Sequence, residues 1–258
     1  MEQVGSVSAP RVEALIFAGG VGRRMGASAR PKQFLELGGR PIIDYTIAHF
    51  AEHPQLTGVV VACLRPWIPY LQQVLSRHRY RVPVAVVPGG ATGYESIFRG
   101  LDHLRSRHPG DGEAIVLVHD GVRPLVDAQT ISACIESVRT RGCTATVAPA
   151  IETIALADEH GVISQVIPRA KVSLARAPQA FRLEELYDAH LRAREDGIGE
   201  FIDSVSLMTH YGHRIYTVEG PAENIKVTTP MDYYAFKGYM DARDQRMLWA
   251  SDEEVDGA

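Results

Sequence analysis

The 258-residue sequence contains only three cysteines, and they lie far apart in the chain. Cys63, Cys134 and Cys143 form neither a CxxC pair nor the Cys/His spacing that is typical of zinc sites. The sequence therefore predicts no disulfide framework and no zinc site. It predicts instead three ordinary free thiols, as expected of a protein from a reducing compartment such as the cytoplasm.

Long apolar runs are scarce as well. No stretch approaches the roughly 18 apolar residues that a membrane-spanning helix needs. The first ten residues, MEQVGSVSAP, contain a glutamate and no apolar segment, so no secretory signal is expected. The formal net charge of −4 argues against a surface that coats nucleic acid or an anionic membrane. Any anion that the protein binds must therefore contact a local cluster of cations.

Two common phosphate-binding motifs are incomplete. The stretch FAGGVGRRMGASARPKQF (17–34) follows an apolar run but contains no GxxxxGK[ST] sequence. For a dinucleotide-binding GxGxxG motif, Gly20 and Gly22 fit, but Met25 occupies the position of the third glycine. No acidic residue that would bind a ribose closes a second strand about 20 positions further on. These departures disfavour a dehydrogenase with a dinucleotide cofactor.

Short apolar runs alternate with amphipathic segments up to residue 150. The apolar runs indicate strands that are buried on both faces, at 12–17, 58–63, 82–87, 114–119 and 145–150. Between them, apolar residues recur every three or four positions, which indicates helices at 41–53, 67–78, 95–108 and 127–142. This alternation predicts an α/β fold, a Rossmann-like sandwich around a mostly parallel central sheet. The loops at the carboxyl ends of the strands should then meet at one edge of the sheet.

The pattern changes after Ala150. Apolar positions alternate on both sides of an EHG turn within residues 150–171, which predicts a protruding β-hairpin arm. A hairpin with few core partners is marginally stable alone. We therefore expect the arm to pack on a second subunit and to form a homodimer.

The remaining segments complete one domain. Helical periodicity returns at 182–196 and at 230–247, and residues 213–220 read as a strand. We expect residues 1–246 to form a single domain and the acidic end, 247–258, to be a disordered tail.

The loop after the first strand combines glycines with cations. Glycines let backbone N–H groups approach a phosphate closely. Arg23, Arg24, Arg30 and Lys32 add positive charge, which suits a reaction in which negative charge develops on a triphosphate. Arg24 and Lys32 are the candidates for that role, whereas Arg23 and Arg30 are equally compatible with a solvated basic loop.

This loop resembles that of the sugar- and polyol-phosphate nucleotidyltransferases. The similarity is closest to the cytidylyltransferases that make CDP-methylerythritol or CDP-ribitol. It continues in order through VPGGATGYESIFRGL (87–101), VHDGVRPLV (118–126), LARAPQAF (174–181), FIDSVSLM (201–208) and VEGPAENIKVTTPMD (218–232). The resemblance implies that an acceptor phosphate attacks the α-phosphorus of CTP and that pyrophosphate leaves. Catalysis then consists of positioning and charge stabilisation.

The resemblance also implies roles for individual residues. The catalytic cations would be Arg24, Lys32 and Lys226. The nucleotide would be bound by Ala18, Gly19, Gly20, Gly22, Gly90, Ser96 and Asp120. Asp120, an acidic residue at the carboxyl end of a strand, is also a natural ligand for Mg²⁺, the cofactor that this reaction would use. Arg123 would either orient loops, contact the ribose or serve structure alone.

The acceptor phosphate would be bound by Thr153, Arg169 and Asp203. The first two lie on the arm, which in this family serves the site of the neighbouring subunit, and an arginine there suits a bidentate phosphate contact. The chain departs from the family pattern at three positions: Gly93 replaces an arginine, and Ala177 and Ile202 each replace a threonine. These changes remove one cation near the nucleotide and two hydroxyls near the acceptor.

The sequence thus predicts a Mg²⁺-dependent cytidylyltransferase that transfers CMP from CTP to a small polyol phosphate. The FAGG opening, HDGVRP and the VTTPMD ending favour D-ribitol-5-phosphate as the acceptor, for a cell-envelope polymer. The alternative acceptor is 2-C-methyl-D-erythritol 4-phosphate, for isoprenoid synthesis. A non-catalytic nucleotide-binding subunit is the alternative from another class, but such a relic would be expected to have lost Arg24, Lys32 or Asp120.

Overall fold

The computed structural model describes residues 10–19, 30–107 and 109–253. The predicted roles of Gly20, Gly22 and Arg24 therefore lie outside the described residues and stay predictions.

A seven-stranded sheet forms the centre of the molecule. Its strands are β1 (Val12–Ala18), β4 (Gly58–Cys63), β5 (Val84–Pro88), β6 (Ile115–Asp120), β7 (Thr144–Pro149), β10 (Ser173–Arg182) and β11 (Tyr216–Glu219). They lie in the order β11-β7-β10-β6-β1-β4-β5. All neighbours are parallel except β10, which runs antiparallel to both β6 and β7. The predicted mostly parallel sheet is confirmed, whereas the antiparallel strand was not expected from the sequence.

Helices cover both faces of the sheet. They are α1 (Ile42–Ala51), α2 (Ile68–Leu75), α3 (Gly93–Arg107), α4 (Ala128–Arg141), α5 (Leu183–Glu195), α6 (Ser204–His210) and α7 (Pro230–Glu253). One apolar core lies between the sheet and α1, α2 and α4, and a second lies between the sheet and α3, α5 and α6. Every residue of β4 and of β6 is buried, because each strand is covered on both faces. On α3, Ile97, Leu101 and Leu104 contact the second core, as their spacing predicts.

The last helix extends into the segment 247–258, for which the disordered tail stays a prediction. Helix α7 continues to Glu253, so residues 247–253 are helical. The segment contains Met, Leu, Ala and Glu, which favour a helix. Residues 254–258 lie outside the described part of the chain.

The predicted arm is confirmed as a β-hairpin. Strands β8 (Ile154–Ala157) and β9 (Ile163–Ile167) pair antiparallel. Their turn is closed by Asp158, whose carboxylate accepts hydrogen bonds from the N–H groups of His160 and Val162. Gly161 adopts a φ of +78°, which glycine tolerates best. A smaller ribbon, β2 (Glu36–Leu37) with β3 (Arg40–Pro41), precedes α1.

The structure also describes the helices and the cysteines on which the expectations about membrane and compartment depend. None of the described helices has both the length and the apolar character to cross a bilayer. The three cysteines are unpaired and buried, and the reducing compartment that we expect for them stays a prediction.

Candidate active site

The carboxyl ends of the parallel strands lie along one edge of the sheet, as the α/β topology requires. Gly19 follows β1, Gly90 comes two residues after β5, and Asp120 ends β6. The backbone segments approach closely here. A Cβ atom at Gly19 would lie 2.5 Å from the Ser96 hydroxyl oxygen and 3.6 Å from the Gly90 carbonyl oxygen. The structure thus brings together the predicted nucleotide-binding residues that it describes, and close packing accounts for glycine at position 19.

Ser96 organises the turn that joins β5 to α3. Its hydroxyl donates to the Thr92 carbonyl oxygen at 2.7 Å and accepts from the Gly90 N–H at 3.0 Å. The Glu95 carboxylate also accepts from the Ala91 N–H at 2.7 Å. Ser96 is fully buried, so its hydroxyl shapes the backbone of the loop. Its contact with the nucleotide stays a prediction.

Lys32 is held close to the end of β1 by its neighbour. Residues Lys32–Phe34 form one 3₁₀ turn, and the Gln33 side-chain amide donates to the Ala18 carbonyl oxygen at 2.8 Å. The Phe34 ring stacks on Trp67 at a centroid distance of 4.7 Å. Gln33 and Phe34 are both buried, so they fix the chain around Lys32 beside the sheet edge. The sequence did not single out Gln33, whose role depends on this contact.

Asp120 is the electrostatic centre of the site. Its Oδ2 accepts from Arg123 Nε at 2.8 Å, and its Oδ1 accepts from Lys226 Nζ at 2.6 Å. Arg123 also donates to the Asn224 carbonyl oxygen at 2.9 Å. Burial opposes ionisation of Asp120, but the charges of Lys226 and Arg123 outweigh it and lower its pKa to about 2. The carboxylate is therefore ionised at neutral pH and holds two cations.

A cavity of about 390 Å³ opens beside this cluster. That volume lies within the range of small-molecule sites. The charged and polar side chains that line it include Asp120, Arg123, Arg176, His190, Asp203 and Lys226. The sheet edge, β10, α5 and the segments before α6 and α7 therefore all contribute to one cavity.

Asp203 is positioned at the N-terminus of α6. Its Oδ1 accepts from the Ser206 N–H at 2.8 Å in a capping box, and its Oδ2 accepts from the Gln179 side-chain amide at 2.8 Å. Gln179 in turn accepts from the Val205 N–H. Gln179, in the APQ segment of β10, thus holds Asp203, the predicted acceptor residue, at the cavity wall. The sequence alone did not indicate this role for Gln179.

The predicted acceptor residues on the arm lie elsewhere. Neither Thr153 nor Arg169 is among the described residues that line the cavity. The Arg169 guanidinium donates instead to the Ile151 carbonyl oxygen at 3.0 Å within the arm. Of the family departures, Gly93 and Ala177 line the cavity, and so does Ile202, which is 98% exposed.

Tyr94, Arg176 and His190 are among the cavity residues that reasoning from the sequence missed. Arg176 has a buried Nε without a hydrogen-bond partner among the described residues, and burial together with the charge of Arg123 lowers its pKa. His190 lies on the otherwise apolar face of α5, and a polar residue at such a position was the available signal.

Comparisons with known proteins agree with this geometry. The model of the family described as "IspD: 2-C-methyl-D-erythritol 4-phosphate cytidylyltransferase" matches residues 12–242. The ribitol-5-phosphate cytidylyltransferase of Vibrio parahaemolyticus serotype O3:K6 is 45% identical over 92% of this chain and 98% of its own length. That of Streptococcus agalactiae serotype V is 43% identical over 91% of this chain and 97% of its own.

More distant similarities extend to bifunctional enzymes and to solved structures. The bifunctional enzyme IspD/IspF of Nitrobacter winogradskyi is 35% identical over 88% of this chain and 55% of its own length. The crystal structure of the 4-diphosphocytidyl-2C-methyl-D-erythritol synthase from Anaerococcus prevotii superposes with a TM-score of 0.76, covering 90% of this chain and 99% of that one. At 22% identity, this last likeness concerns the fold alone.

Proposed function

The chain belongs to the IspD family of cytidylyltransferases, and from that premise we propose that it transfers CMP from CTP to D-ribitol-5-phosphate with release of pyrophosphate. The observation that carries the choice of acceptor is the identity of 43–45% to ribitol-5-phosphate cytidylyltransferases along nearly their whole length. Identity to the bifunctional IspD/IspF enzyme is lower, at 35%. The description of the matching family keeps 2-C-methyl-D-erythritol 4-phosphate as the second candidate.

The two cations that contact Asp120, Arg123 and Lys226, suit this chemistry because only Lys226 is exposed enough to move. Arg123 is 8% exposed and is also bonded to Asn224, so it holds the carboxylate in place. The Lys226 side chain is 41% exposed, so it can leave Asp120 and follow the charge of an incoming triphosphate. Lys32 lies beside the end of β1, and the sequence predicts the same role for Arg24, which is outside the described residues. Together the three cations stabilise the negative charge that develops during the attack on the α-phosphorus.

We propose Mg²⁺ as the cofactor, with Asp120 as its protein ligand. Asp120 is ionised and lines the cavity, and each of its oxygens keeps acceptor capacity beyond its present bond. The donor set fits an ion that the triphosphate and water hold for the most part, which is the usual way in which proteins bind Mg²⁺ with a nucleotide. The bound ion would neutralise charge on the triphosphate.

We propose further that a second copy of this chain covers the arm. Large apolar side chains are exposed along it: Ile151, Leu156, Val162, Ile163 and Val166, with exposures between 47% and 74%. Several large exposed apolar side chains on one short element are typical of an interface. A partner's arm could bring its Thr153 and Arg169 to the acceptor end of the cavity, which these residues do not reach in their own subunit.

A substrate panel tests the function. Pyrophosphate release is measured with CTP and Mg²⁺ against ribitol-5-phosphate, glycerol-3-phosphate and 2-C-methyl-D-erythritol 4-phosphate, with and without a chelator. We expect the highest kcat/KM with ribitol-5-phosphate and no turnover after chelation. Preference for methylerythritol phosphate would reverse the choice of acceptor. No pyrophosphate release with any of the three acceptors, or turnover only with another nucleoside triphosphate, would overturn the proposal.

A further inference from the structure

We infer that His190 and Tyr94 form a subsite for the hydroxyl groups of the acceptor's polyol chain, an inference that rests on the proposed function. Both residues line the cavity beside Asp120, His190 from α5 and Tyr94 from the first turn of α3. Their rings stack, with centroids 4.5 Å apart and planes inclined by 28°. They form one continuous piece of the cavity wall.

Both rings carry polar atoms that have no partner in the described part of the chain. His190 is 1% exposed, and neither Nδ1 nor Nε2 has a hydrogen bond. The Tyr94 hydroxyl is buried and unpartnered as well. Buried polar groups in proteins are almost always hydrogen-bonded, because leaving them unpaired costs free energy. The two residues that carry these three atoms both line the cavity, and a ligand that rearranges the ring pair slightly on binding would supply the missing bonds.

The chemistry of these groups points to neutral hydroxyls and not to a phosphate. Burial and the charge of Arg194 lower the pKa of His190 to about 3, so its imidazole is neutral at neutral pH. A neutral imidazole offers one donor and one acceptor, and the phenol offers one of each, which matches the hydroxyls of a polyol. A phosphate would need cations, and those lie elsewhere on the wall, at Arg176 and Lys226.

Paired isosteric variants test this subsite. His190→Phe removes both ring nitrogens but keeps an aromatic ring against Tyr94, and Tyr94→Phe removes only the hydroxyl. We expect each variant to raise KM for the polyol phosphate about tenfold, the value of one lost hydrogen bond, while KM for CTP is unchanged. Neither variant should lower Tm, because the removed atoms have no partner in the protein to lose. His210→Phe, an exposed histidine on α6, is the matched control.

Deoxy analogues of the acceptor sharpen the test. An analogue that lacks the recognised hydroxyl should bind the wild type and His190→Phe equally well. A parallel change of both KM values, an unchanged acceptor KM, or a lower Tm with intact kinetics would overturn the subsite. If the wild type prefers another polyol phosphate, the proposed acceptor fails, and the subsite is then tested with that other compound.

A second inference concerns a cluster away from the cavity and rests on separate observations. We propose that Cys143, Glu185 and His213 form a site for a divalent metal ion of zinc type. Cys143 Sγ lies 3.7 Å from Glu185 Oε2 and 3.9 Å from His213 Nδ1, and one ligand atom from each residue fits within a span of 4.8 Å. Tetrahedral zinc, with bonds of about 2.0–2.3 Å, separates neighbouring ligand atoms by about 3.6 Å. The two distances from Cys143 Sγ are therefore close to the edge of a zinc tetrahedron, and the third separation lies within 4.8 Å.

This proposal revises the expectation from the sequence, which found no zinc spacing. The ligands come from distant segments: Cys143 precedes β7, Glu185 lies in the first turn of α5, and His213 follows α6. Cys143 is 4% exposed, whereas the other two are partly exposed, so water can take the fourth position. Metal ions bind cysteine as the thiolate, so a bound ion would displace the proton of Cys143. The site would tie three segments together.

Metal titration tests the cluster directly. Co²⁺ added to the chelator-treated protein should bind at one equivalent and give a thiolate-to-cobalt charge-transfer band, which Zn²⁺ displaces. Zn²⁺ should raise Tm through binding to the folded state. Cys143→Ser and His213→Asn should abolish the band and the rise in Tm, whereas Cys63→Ser, at another buried cysteine, should keep both. A missing band at micromolar metal, or a band that survives Cys143→Ser, would overturn the site.

Discussion

Asp120 and its two cations show how much the surroundings of a residue decide what it does. Arg123 and Lys226 contact the same carboxylate, yet one is buried with a second partner and the other is partly exposed. Breaking a buried ion pair leaves an uncompensated charge, whereas an exposed ion pair contributes little to stability. The same carboxylate should therefore serve stability through Arg123 and catalysis through Lys226.

Two variants separate these roles. Arg123→Ala should lower the free energy of unfolding by about 3–5 kcal/mol, because it leaves Asp120 buried without its fixed partner. Lys226→Ala should lower stability less than Arg123→Ala, because the Lys226 side chain is 41% exposed, but should lower kcat/KM by about 10²–10³, the effect of removing one charge-stabilising contact. Urea titration and pyrophosphate release measure the two quantities. The control is Lys237→Ala, at an exposed position on α7. Near-normal turnover of Lys226→Ala would contradict its catalytic role.

At the scale of secondary-structure elements, the residues predicted to bind the acceptor are separated between the cavity wall and the arm. Strand β10 carries Gln179, which holds Asp203 at the cavity wall. The arm carries Thr153 and Arg169, which do not line that cavity. The acceptor roles predicted for Thr153 and Arg169 would therefore require an arm from another subunit, which we propose to be a second copy of the chain.

Subunit mixing tests whether the arm serves its partner. Homodimers of Lys226→Ala and of Arg169→Ala should each be inactive at ordinary acceptor concentrations. After subunit exchange, a mixed dimer would combine an intact arm on one subunit with an intact Lys226 on the other, so one of its sites should recover. Pyrophosphate release before and after exchange is the measurement. The mass of the mixed species, from tagged subunits, shows that heterodimers formed, and no recovery in their presence would rule out an arm that acts in trans.

At the scale of the whole molecule, two apolar cores hold the sheet from opposite sides, and the site lies at the sheet edge. The cavity draws on the sheet edge, the first turn of α3, β10, α5 and the segments before α6 and α7. No single element contains enough of these groups to bind a nucleotide or a polyol phosphate. The alternation of elements brings them together, since parallel strands place their carboxyl ends on one side.

The local pattern of apolar residues was sufficient to predict many of the strands and helices. Buried runs such as GVVVAC predict strands, and the spacing of Ile97, Leu101 and Leu104 predicts the inner face of α3. The hairpin followed from alternation around its turn. Strand β10 was missed because a proline and a register shift between Ala175 and Gln179 interrupt its pattern. Helix α6 was missed because it spans only seven residues.

The sequence by itself determined the class of fold, the cytidylyltransferase resemblance and the cation-bearing segments, because these depend on neighbours within a few residues or on ordered motifs. Only the tertiary structure decided that Asp120 holds Arg123 and Lys226, and that the ring atoms of His190 and Tyr94 remain unpaired. Hydrogen bonds and ion pairs act over about 3 Å. Residues a hundred positions apart therefore acquire or lose their partners only when the chain has folded.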